Sequence, residues 1–560
     1  MDLKQQLAAF RELDPDRLSE TELRAFVPAL LQLIEELVLR DAQRQAELQQ
    51  LRTELARLKG QSPPPQFPPP NDPAAPRGSS EQDRRAREPR RPWQKGSKVA
   101  ALPVDRTELC WLELAALPAD VQFKGYVETV IQDVVLRRDN VRFQREQYYS
   151  PSTRTTYIAP LPPGYIGSQF GPGIRSLILG LGYGANVTMR LNHRFLTHLG
   201  VDISKGEVSA LLTTRLEAFE QELQTAVAMG LQLAGWTGVD QTSTRVDGQN
   251  YTCQTLDNPL VCFYLTTPRA DRLAVLRALQ VGKPLRYRID PAAVAWFEAR
   301  PAAQWAKERL AQLQQEAWLT EPEWTALLDR HFAGANRDTR QWLQQAAALS
   351  AYWQEPSGPR LCCLMTDDAA VFPQLTAEQA LCWVHDARHY YKLSPQFTLF
   401  QEELDAFLRD YWAFYAALLA YREAPAPAEA ARLEGEFDAL FTREVRFQPL
   451  ARCLARTYGN KQQLLLVLRR PELPLHNNST ELAVRQRVRR RDVSFGPRSE
   501  AGRRAWDVYQ SLAGTLEKLG MSFFGYLADR IGQVGKIPPL AELIAQRATE
   551  LQVGRSWRTT

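Results

Sequence analysis

The stretch Trp236-Thr-Gly-Val-Asp240-Gln-Thr-Ser is a short run of β-prone residues with a carboxylate in the middle. Two other acids have related settings: Asp367 ends the apolar run Leu364-Met-Thr, and Glu481 follows His476-Asn-Asn-Ser-Thr. The flanking residues predict that the first two acids lie on or just after strands. The third is expected in the first turn of a helix.

Acids in the order strand, strand, helix are what a ribonuclease-H-like fold needs to hold two divalent metal ions. Carboxylate oxygens are the ligands that hard cations such as Mg²⁺ prefer. Two such ions, about 3.5–4 Å apart, can activate a water or a 3′-hydroxyl and stabilise the leaving oxygen of a phosphodiester. The sequence therefore indicates an enzyme that cuts and joins nucleic acid.

The surrounding residues predict a sheet. Residues 236–246 are expected to form a strand, and Asp247-Gly248 is a strong two-residue hairpin signal. Residues 249–256 and 259–267 would be the next two strands, and residues 361–366 a short buried strand beside the first. Asp367 directly follows that strand and is the preferred ligand, while Asp368 remains the alternative and could instead cap the next helix.

Length and composition predict several folded domains. The chain has 560 residues, 44% of them hydrophobic, and 13 are tryptophan. Its net charge is only +5, from 69 basic and 64 acidic residues, which is a weak hint of a polyanionic partner. No apolar run reaches the length of about 18–20 residues needed to span a bilayer. Seven scattered cysteines without a CxxC pair favour a reduced, cytoplasmic protein.

We expect a mixed α/β, multidomain protein, with a ribonuclease-H-like catalytic core that carries helical insertions. The expected regions are a coiled-coil helix (1–60), a disordered Pro/Arg-rich linker (61–98), a small mixed α/β domain with a hairpin of strands at 130–136 and 141–149 (99–163), a helical DNA-binding region (164–230), the catalytic domain (231–510) with helical insertions at 270–355 and 400–470, and C-terminal helices (511–560).

The N-terminal helix has an apolar seam with a polar centre. The seam consists of Leu30, Ile34, Leu37, Leu48, Leu51, Leu55 and Leu58, interrupted at Asp41 and Arg44. Self-association is favoured because a Pro-rich tract follows at once. A single helix packed on its own domain is the alternative.

Residues 194–212 resemble a helix-turn-helix. Gly200 permits a tight turn, Ser204 can cap the second helix, and Glu207 completes a capping box. Lys205 is the expected DNA contact on that helix. A plain structural corner between two helices has the same pattern, so both interpretations stay open.

The helix that begins near Glu481 also carries the densest basic run of the chain. Its expected DNA-binding residues are Arg485, Arg487, Arg489, Arg490, Arg491 and, just beyond it, Arg498. Arginines that clamp phosphate beside a metal-binding carboxylate suit phosphoryl transfer. A solvated basic helix is the alternative.

The run Cys382-Trp-Val-His385-Asp-Ala-Arg-His389 contains a Cys-x-x-His pair. Zinc would need a second ligand pair, which only Cys362 or Cys363 with His389 could supply. A structural role beneath the metal centre is the favoured interpretation of Cys382 and His385. His385 or His389 could also contact substrate.

Together these motifs resemble the transposases of the Insertion Sequence 66 family, over residues 165–548. The resemblance is carried by Gly238-Val-Asp240-Gln-Thr, Met365-Thr-Asp367-Asp-Ala, Leu381-Cys-Trp-Val-His385-Asp-Ala-Arg-His389, Pro474-Leu-His-Asn477-Asn-Ser-Thr-Glu481-Leu and Val488-Arg-Arg-Arg491-Asp-Val-Ser. One departure concerns the paired cysteines that many relatives carry before the helix-turn-helix-like region, because only Cys110 lies there.

The resemblance implies a DDE transposase with Asp240, Asp367 and Glu481 as its triad and two Mg²⁺ or Mn²⁺ ions as cofactors. It also implies that Cys382 and His385 form the Cys-x-x-His motif of such families. The implied partner is double-stranded DNA, both as element ends and as target. A homodimer or higher oligomer is expected because two ends must be brought together, and accessory proteins encoded by the element could assist. The alternatives are a non-catalytic DNA-binding descendant and a structure-specific nuclease of the same fold.

Overall fold

The computed structural model describes residues 104–113, 122–355 and 361–553, together with most of residues 27–48. The predicted linker at 61–98 lies outside the described residues, as do Leu51, Leu55 and Leu58 of the predicted seam. Within the described chain, every helix is too short or too polar to cross a membrane.

The regular elements follow one another along the chain. They are β1 (Gln147–Ser150), β2 (Thr155–Ile158), α1 (Pro172–Leu179), α2 (Met189–His198), α3 (Lys205–Thr213), α4 (Glu217–Leu233), β3 (Trp236–Val246), β4 (Gln249–Asp257), β5 (Cys262–Thr267), α5 (Arg272–Leu279), β6 (Tyr287–Ile289), α6 (Pro291–Glu298), α7 (Gln304–Gln312), β7 (Gln315–Leu319), α8 (Glu321–His331), α9 (Arg337–Gln354), β8 (Cys363–Thr366), β9 (Glu378–Leu381), α10 (Trp383–Tyr391), α11 (Thr398–Glu423), α12 (Pro427–Phe441), α13 (Gln448–Gly459), α14 (Lys461–Leu464), α15 (Asn478–Ser494), α16 (Glu500–Lys518), α17 (Phe523–Gly532) and α18 (Leu540–Glu550). A π-helical turn (Gly180–Gly184) follows α1, and a 3₁₀ turn (Leu465–Leu468) follows α14.

A five-stranded mixed sheet in the order β5-β4-β3-β8-β9 forms the centre of the fold. Strands β3, β4 and β5 are antiparallel neighbours, whereas β8 runs parallel to β3 and β9 parallel to β8. The turn between β3 and β4 is made by Asp247 and Gly248, both with positive φ (49° and 74°), as a type I′ hairpin requires. The mixed α/β class and the expected pairing of 361–366 beside the first strand are confirmed.

Helix α16 covers the outer edge of β5. At four-residue intervals its side chains accept hydrogen bonds from backbone amides of that strand: Thr515 from Cys262 N (3.2 Å), Ser511 from Tyr264 N (2.9 Å) and Asp507 from Thr266 N (2.8 Å). These contacts satisfy an edge that would otherwise be open to pairing with another chain. The predicted domain boundary between residues 510 and 511 falls inside this continuous helix and is wrong.

Two insertions extend the core, and only the first of them interrupts the sheet. The first, between β5 and β8, contains helices α5 to α9 and a small antiparallel sheet of β6 and β7, so the expectation of an entirely helical insertion at 270–355 is corrected. The second follows α10, is helical as expected, and has its own buried cluster of leucines and aromatic residues around Trp383.

Some of the N-terminal helical residues contact the second insertion. Leu33 is buried, Glu35 Oε1 accepts a hydrogen bond from Gln396 N (2.9 Å), and Gln32 Oε1 accepts one from Gln448 N (3.2 Å). The seam residues Ile34 and Leu37 remain exposed on the single chain. Self-association through that seam therefore stays a prediction.

The region before α1 differs from the expectation. The hairpin pairs β1 with β2, at 147–158, and the described residues 122–146 contain no strand. The apolar side chains of the expected first strand, such as Ile131 and Val134, are exposed. A β-prone run that has no apolar surface to cover it does not form a strand of its own, so the predicted hairpin at 130–149 was wrong.

Candidate active site

Two of the predicted acidic residues have equivalent positions along neighbouring parallel strands, one within β3 and the other directly after β8. Gly238 of β3 is the register partner of Met365 of β8. Asp240 and Asp367 each follow two residues beyond this pair, and Asp367 directly follows the end of β8. Because parallel strands keep their register, the two acids lie at the same level of the sheet, where β8 ends.

Helix α15 packs closely against β3 at Gly238, because this residue has no side chain. A Cβ placed there would lie 1.9 Å from Thr480 Oγ1 and 2.5 Å from Asn477 Oδ1. Asn477 also donates from Nδ2 to Val239 O (3.2 Å). The first turn of α15, which carries Glu481, therefore sits directly on the strand of Asp240.

The charges of Asp367 and Glu481 act on Asp240. The pKa of Asp240 rises to about 6, chiefly because burial penalises its ionised form and additionally because the negative charges of Asp367 and Glu481 are near. A hydrogen bond from Gln241 N to Asp240 Oδ1 (2.7 Å) and the positive charge of Arg388 oppose this rise. The site thus concentrates negative charge that a cation would neutralise.

Asp367 and Asp368 differ in their contacts. Asp368 Oδ2 pairs with Arg456 (2.5 Å), and Asp368 Oδ1 lies 3.7 Å from His389 Nε2. Asp367 accepts a hydrogen bond from Ala369 N (3.1 Å), and its charge acts on Asp240. Of the two, the preferred ligand Asp367 is the one whose charge raises the pKa of Asp240.

Helix α10 presents basic side chains to Glu481. Arg388 Nη2 is 2.9 Å and His385 Nε2 is 3.6 Å from Glu481 Oε1. The two residues are three positions apart on the helix and so share one face. Burial, and secondly the charge of Arg388, lower the pKa of His385, although Glu481 opposes this.

The rest of the Cys-x-x-His segment joins this site to the fold. Cys382 N donates to Thr366 O (3.0 Å), and the buried Cys382 thiol accepts a hydrogen bond from Asn477 N (3.4 Å). On the opposite face of α10, buried Asp386 accepts hydrogen bonds from Tyr411 and Thr457 of the second insertion. Cys382 thus contacts both the end of β8, next to Asp367, and the start of α15, which carries Glu481. These contacts support a structural role for Cys382.

The three carboxylates fit a divalent cation by their chemistry, since hard cations favour carboxylate oxygens. In the described parts of the chain, however, no group of three or more His, Cys, Asp or Glu side chains is arranged as a ready metal site. Glu481 instead has its Oε1 against Arg388 and His385. The convergence of all three acids on shared ions therefore stays a prediction.

Two of the six predicted DNA-binding arginines are buried. Arg487, 1% exposed, donates to Asp507 Oδ1 and Gln510 Oε1 (both 2.6 Å), and Arg490, 4% exposed, donates to the backbone carbonyl of Gly182. The prediction that these two side chains bind DNA is corrected, because they hold α15 against α16 and the π-helical turn. Their partners are far away in sequence and give no local signal.

The remaining predicted DNA contacts lie at the surface. Arg485, Arg489, Arg498 and Lys205 are exposed, and half-buried Arg491 donates to Ser243 O (2.5 Å). Within the helix-turn-helix-like segment Ser204 accepts the hydrogen bond from Glu207 N (3.1 Å), and Gly200 has a φ of +77°. The corner forms as predicted, while its contact with DNA stays a prediction.

Sequence reasoning missed Arg388 and Gly238 as parts of the site. Arg388 had a usable signal, because its spacing of three from His385 places both on one helix face. Gly238 had none, since the need for a glycine comes from a helix about 240 residues further along the chain.

The arrangement defines a class of protein: a mixed α/β fold in which two acids of neighbouring parallel strands lie next to arginine-bearing helices. Comparison with known proteins gives the family. Residues 344–505 match the family model described as Transposase IS66 family. The resemblance noted in the sequence is therefore confirmed over this segment. Asp367, Glu481, Cys382 and His385 lie inside the matched segment, and Asp240 lies outside it.

The chain is also similar to a protein of Sinorhizobium fredii (strain NBRC 101917 / NGR234) named "Uncharacterized protein y4jO". The two are 38% identical over 186 residues, which is 33% of this chain and 57% of the relative. The chain thus spans little more than half the length of that curated relative. No solved structure matches.

Proposed function

We propose that the protein is a DNA transposase of an insertion sequence, which cleaves the ends of the element and joins them to target DNA by transesterification. The observation that carries this proposal is the placement of the acids: Asp240 and Asp367 each come two residues after the register pair Gly238–Met365, and the first turn of α15, with Glu481, packs on Gly238. Strands β3 and β8 and helix α15 supply these acids in the order expected of a ribonuclease-H-like core. The family of residues 344–505 points the same way.

Asp240, Asp367 and Glu481 are the residues that would hold two Mg²⁺ or Mn²⁺ ions. Ions of this kind activate the attacking water or 3′-hydroxyl and stabilise the leaving oxygen when they are bound. The protein's part is to fix the acids. Strand pairing holds Asp240 and Asp367, while the contact of α15 with Gly238 holds Glu481.

The exposed arginines are proposed to bind DNA beside the acids. Arg485 and Arg489 project from α15, the helix that begins next to Glu481, and Arg498 follows it. Arginine matches phosphate oxygens with two parallel hydrogen bonds. Phosphate contacts of this kind position a duplex without reading its sequence. Reading of the element ends would then fall to other surfaces, such as the α2–α3 corner with Lys205.

The assembly is proposed to contain at least two copies, because two element ends must be held together. The exposed seam positions Ile34 and Leu37 are available for this contact. The protein would act in the bacterial cytoplasm, at the nucleoid when bound to DNA, with or without accessory proteins of the element.

The test uses full-length protein, a duplex that carries an element end, a plasmid target and Mg²⁺. Wild type should nick the end and produce strand-transfer products. Asp240→Asn and Glu481→Gln should lower the cleavage rate by about 10³-fold and leave binding of the end within about twofold. Asp139→Asn, at an exposed residue distant in sequence, is the matched control.

The outcomes separate the candidate functions. Normal cleavage by Asp240→Asn removes this residue from the site and contradicts the proposal. Binding without cleavage by wild type, with or without Mg²⁺, would assign the chain to non-catalytic DNA-binding proteins. Cleavage without strand transfer would assign it to the nucleases.

A further inference from the structure

Arg388 is positioned to act on the site without being one of its acids. Its Nη2 donates to Glu481 Oε1 at 2.9 Å, and its positive charge also reaches Asp240. Its side chain is 43% exposed, whereas that of Glu481 is 23% exposed. The guanidinium therefore lies at the mouth of the site, with its carboxylate partner further inside.

The pairing of Glu481 with Arg388 opposes cation binding at Glu481. A carboxylate oxygen that accepts hydrogen bonds from a guanidinium has fewer lone pairs to offer, and the positive charge of Arg388 repels a divalent ion only a few ångströms away. His385 contacts the same oxygen at 3.6 Å.

We infer that Arg388 is a displaceable counter-ion of Glu481, which a divalent cation releases and which then binds the phosphate of the DNA strand to be cut. This inference rests on the proposed function. It assigns to Arg388 two successive partners of the same charge, first a carboxylate and then a phosphate. The planar fork of arginine suits both groups, and the exposure of its side chain leaves room for the exchange.

The pairing of Arg388 with Glu481 has a direct consequence for metal binding in the absence of DNA. Removal of the arginine charge takes away the competitor for Glu481. The metal should therefore bind more tightly to the variant than to wild type, although the variant has lost a residue needed for cleavage. A residue with a purely structural role would weaken both properties together.

The experiment measures Mn²⁺ binding to the full-length protein without DNA, by calorimetry, and then cleavage of an element end. Arg388→Gln should lower the Mn²⁺ dissociation constant about tenfold, because a charge-assisted hydrogen bond is lost from the competing state. It should also slow cleavage about 10²-fold. Arg388→Lys keeps the charge and should keep the metal affinity of wild type within about threefold. Arg409→Gln, an exposed arginine of α11, is the matched control.

Mn²⁺ affinity of Arg388→Gln equal to or weaker than that of wild type, with normal secondary structure by circular dichroism, overturns the inference. The same holds if Arg388→Lys binds Mn²⁺ as tightly as Arg388→Gln. Asp240→Asn provides the separate test of the proposed function. If Asp240→Asn binds Mn²⁺ as tightly as wild type, the metal site itself is refuted. If Asp240→Asn loses Mn²⁺ binding while Arg388→Gln binds Mn²⁺ as wild type does, only the role of Arg388 is refuted.

Discussion

Replacement of Asp240 by asparagine is expected to stabilise the metal-free protein. The ionised carboxylate is buried next to Asp367 and Glu481, and its pKa rises from 3.8 to about 6. That rise corresponds to about 3 kcal/mol of unfavourable free energy for the charged form at neutral pH. Asparagine has the same shape and keeps the acceptor for Gln241 N, so it removes the penalty without removing the hydrogen bond.

The effect has a defined pH dependence. The folded protein binds the Asp240 proton more tightly than the unfolded chain does, so the contribution of this group to stability falls as the pH rises. The loss takes place between about pH 4 and pH 6 and is complete above that window. The variant should therefore exceed wild type by up to about 3 kcal/mol at pH 7 and by little at pH 4.

Thermal unfolding in EDTA at a series of pH values measures this difference. The transition of the domain that contains the sheet should shift upward by several degrees at pH 7 in Asp240→Asn. Asp139→Asn should not shift it. Mn²⁺ should raise the midpoint of wild type and leave that of Asp240→Asn unchanged, because only wild type retains the ligand. A variant no more stable than wild type at pH 7, or a gap that does not close at low pH, would refute the reasoning.

Two further substitutions test how helix α15 is held. Gly238→Ala should destabilise the protein by about 1–3 kcal/mol and abolish end cleavage, because the new Cβ collides with α15. Gly435→Ala, where a Cβ meets nothing within 4 Å, is the control in urea unfolding. Equal stability of the two variants would contradict the close contact. Arg487→Met removes the 2.6 Å partner of Asp507, which keeps Arg503 at 3.2 Å, and should cost about 1–3 kcal/mol. Exposed Arg489→Met should cost little stability and weaken DNA binding instead, and the opposite ranking in calorimetry would show that the burial is assigned to the wrong arginine.

Local chemistry made much of the sheet predictable. The strand with Asp240 and the turn at Asp247-Gly248 follow from residue preferences that act over a few positions. The position of Asp367 after a buried strand, beside the first, followed from the length and polarity of one apolar run. Each of these features depends on contacts that the sequence pattern itself displays.

Features that depend on distant partners were not predictable from one sequence. Arg487 and Arg489 belong to the same basic run of the sequence, and the buried one differs from the exposed one through partners on α16, Asp507 and Gln510. The polar residues Ser511 and Thr515 resemble a solvated helix face, whereas they cap the amides of β5. A helix that covers a sheet edge in this way cannot be separated from the sheet's domain, which is why the boundary at 510 was misplaced.

Crystals of the full-length protein soaked in Mn²⁺ would test the central claim most directly, through the anomalous scattering of the ion. The account predicts anomalous peaks bounded by the carboxylates of Asp240, Asp367 and Glu481, with Glu481 turned away from Arg388. Peaks at any other group of residues, or none near Asp240 at saturating Mn²⁺, would contradict it.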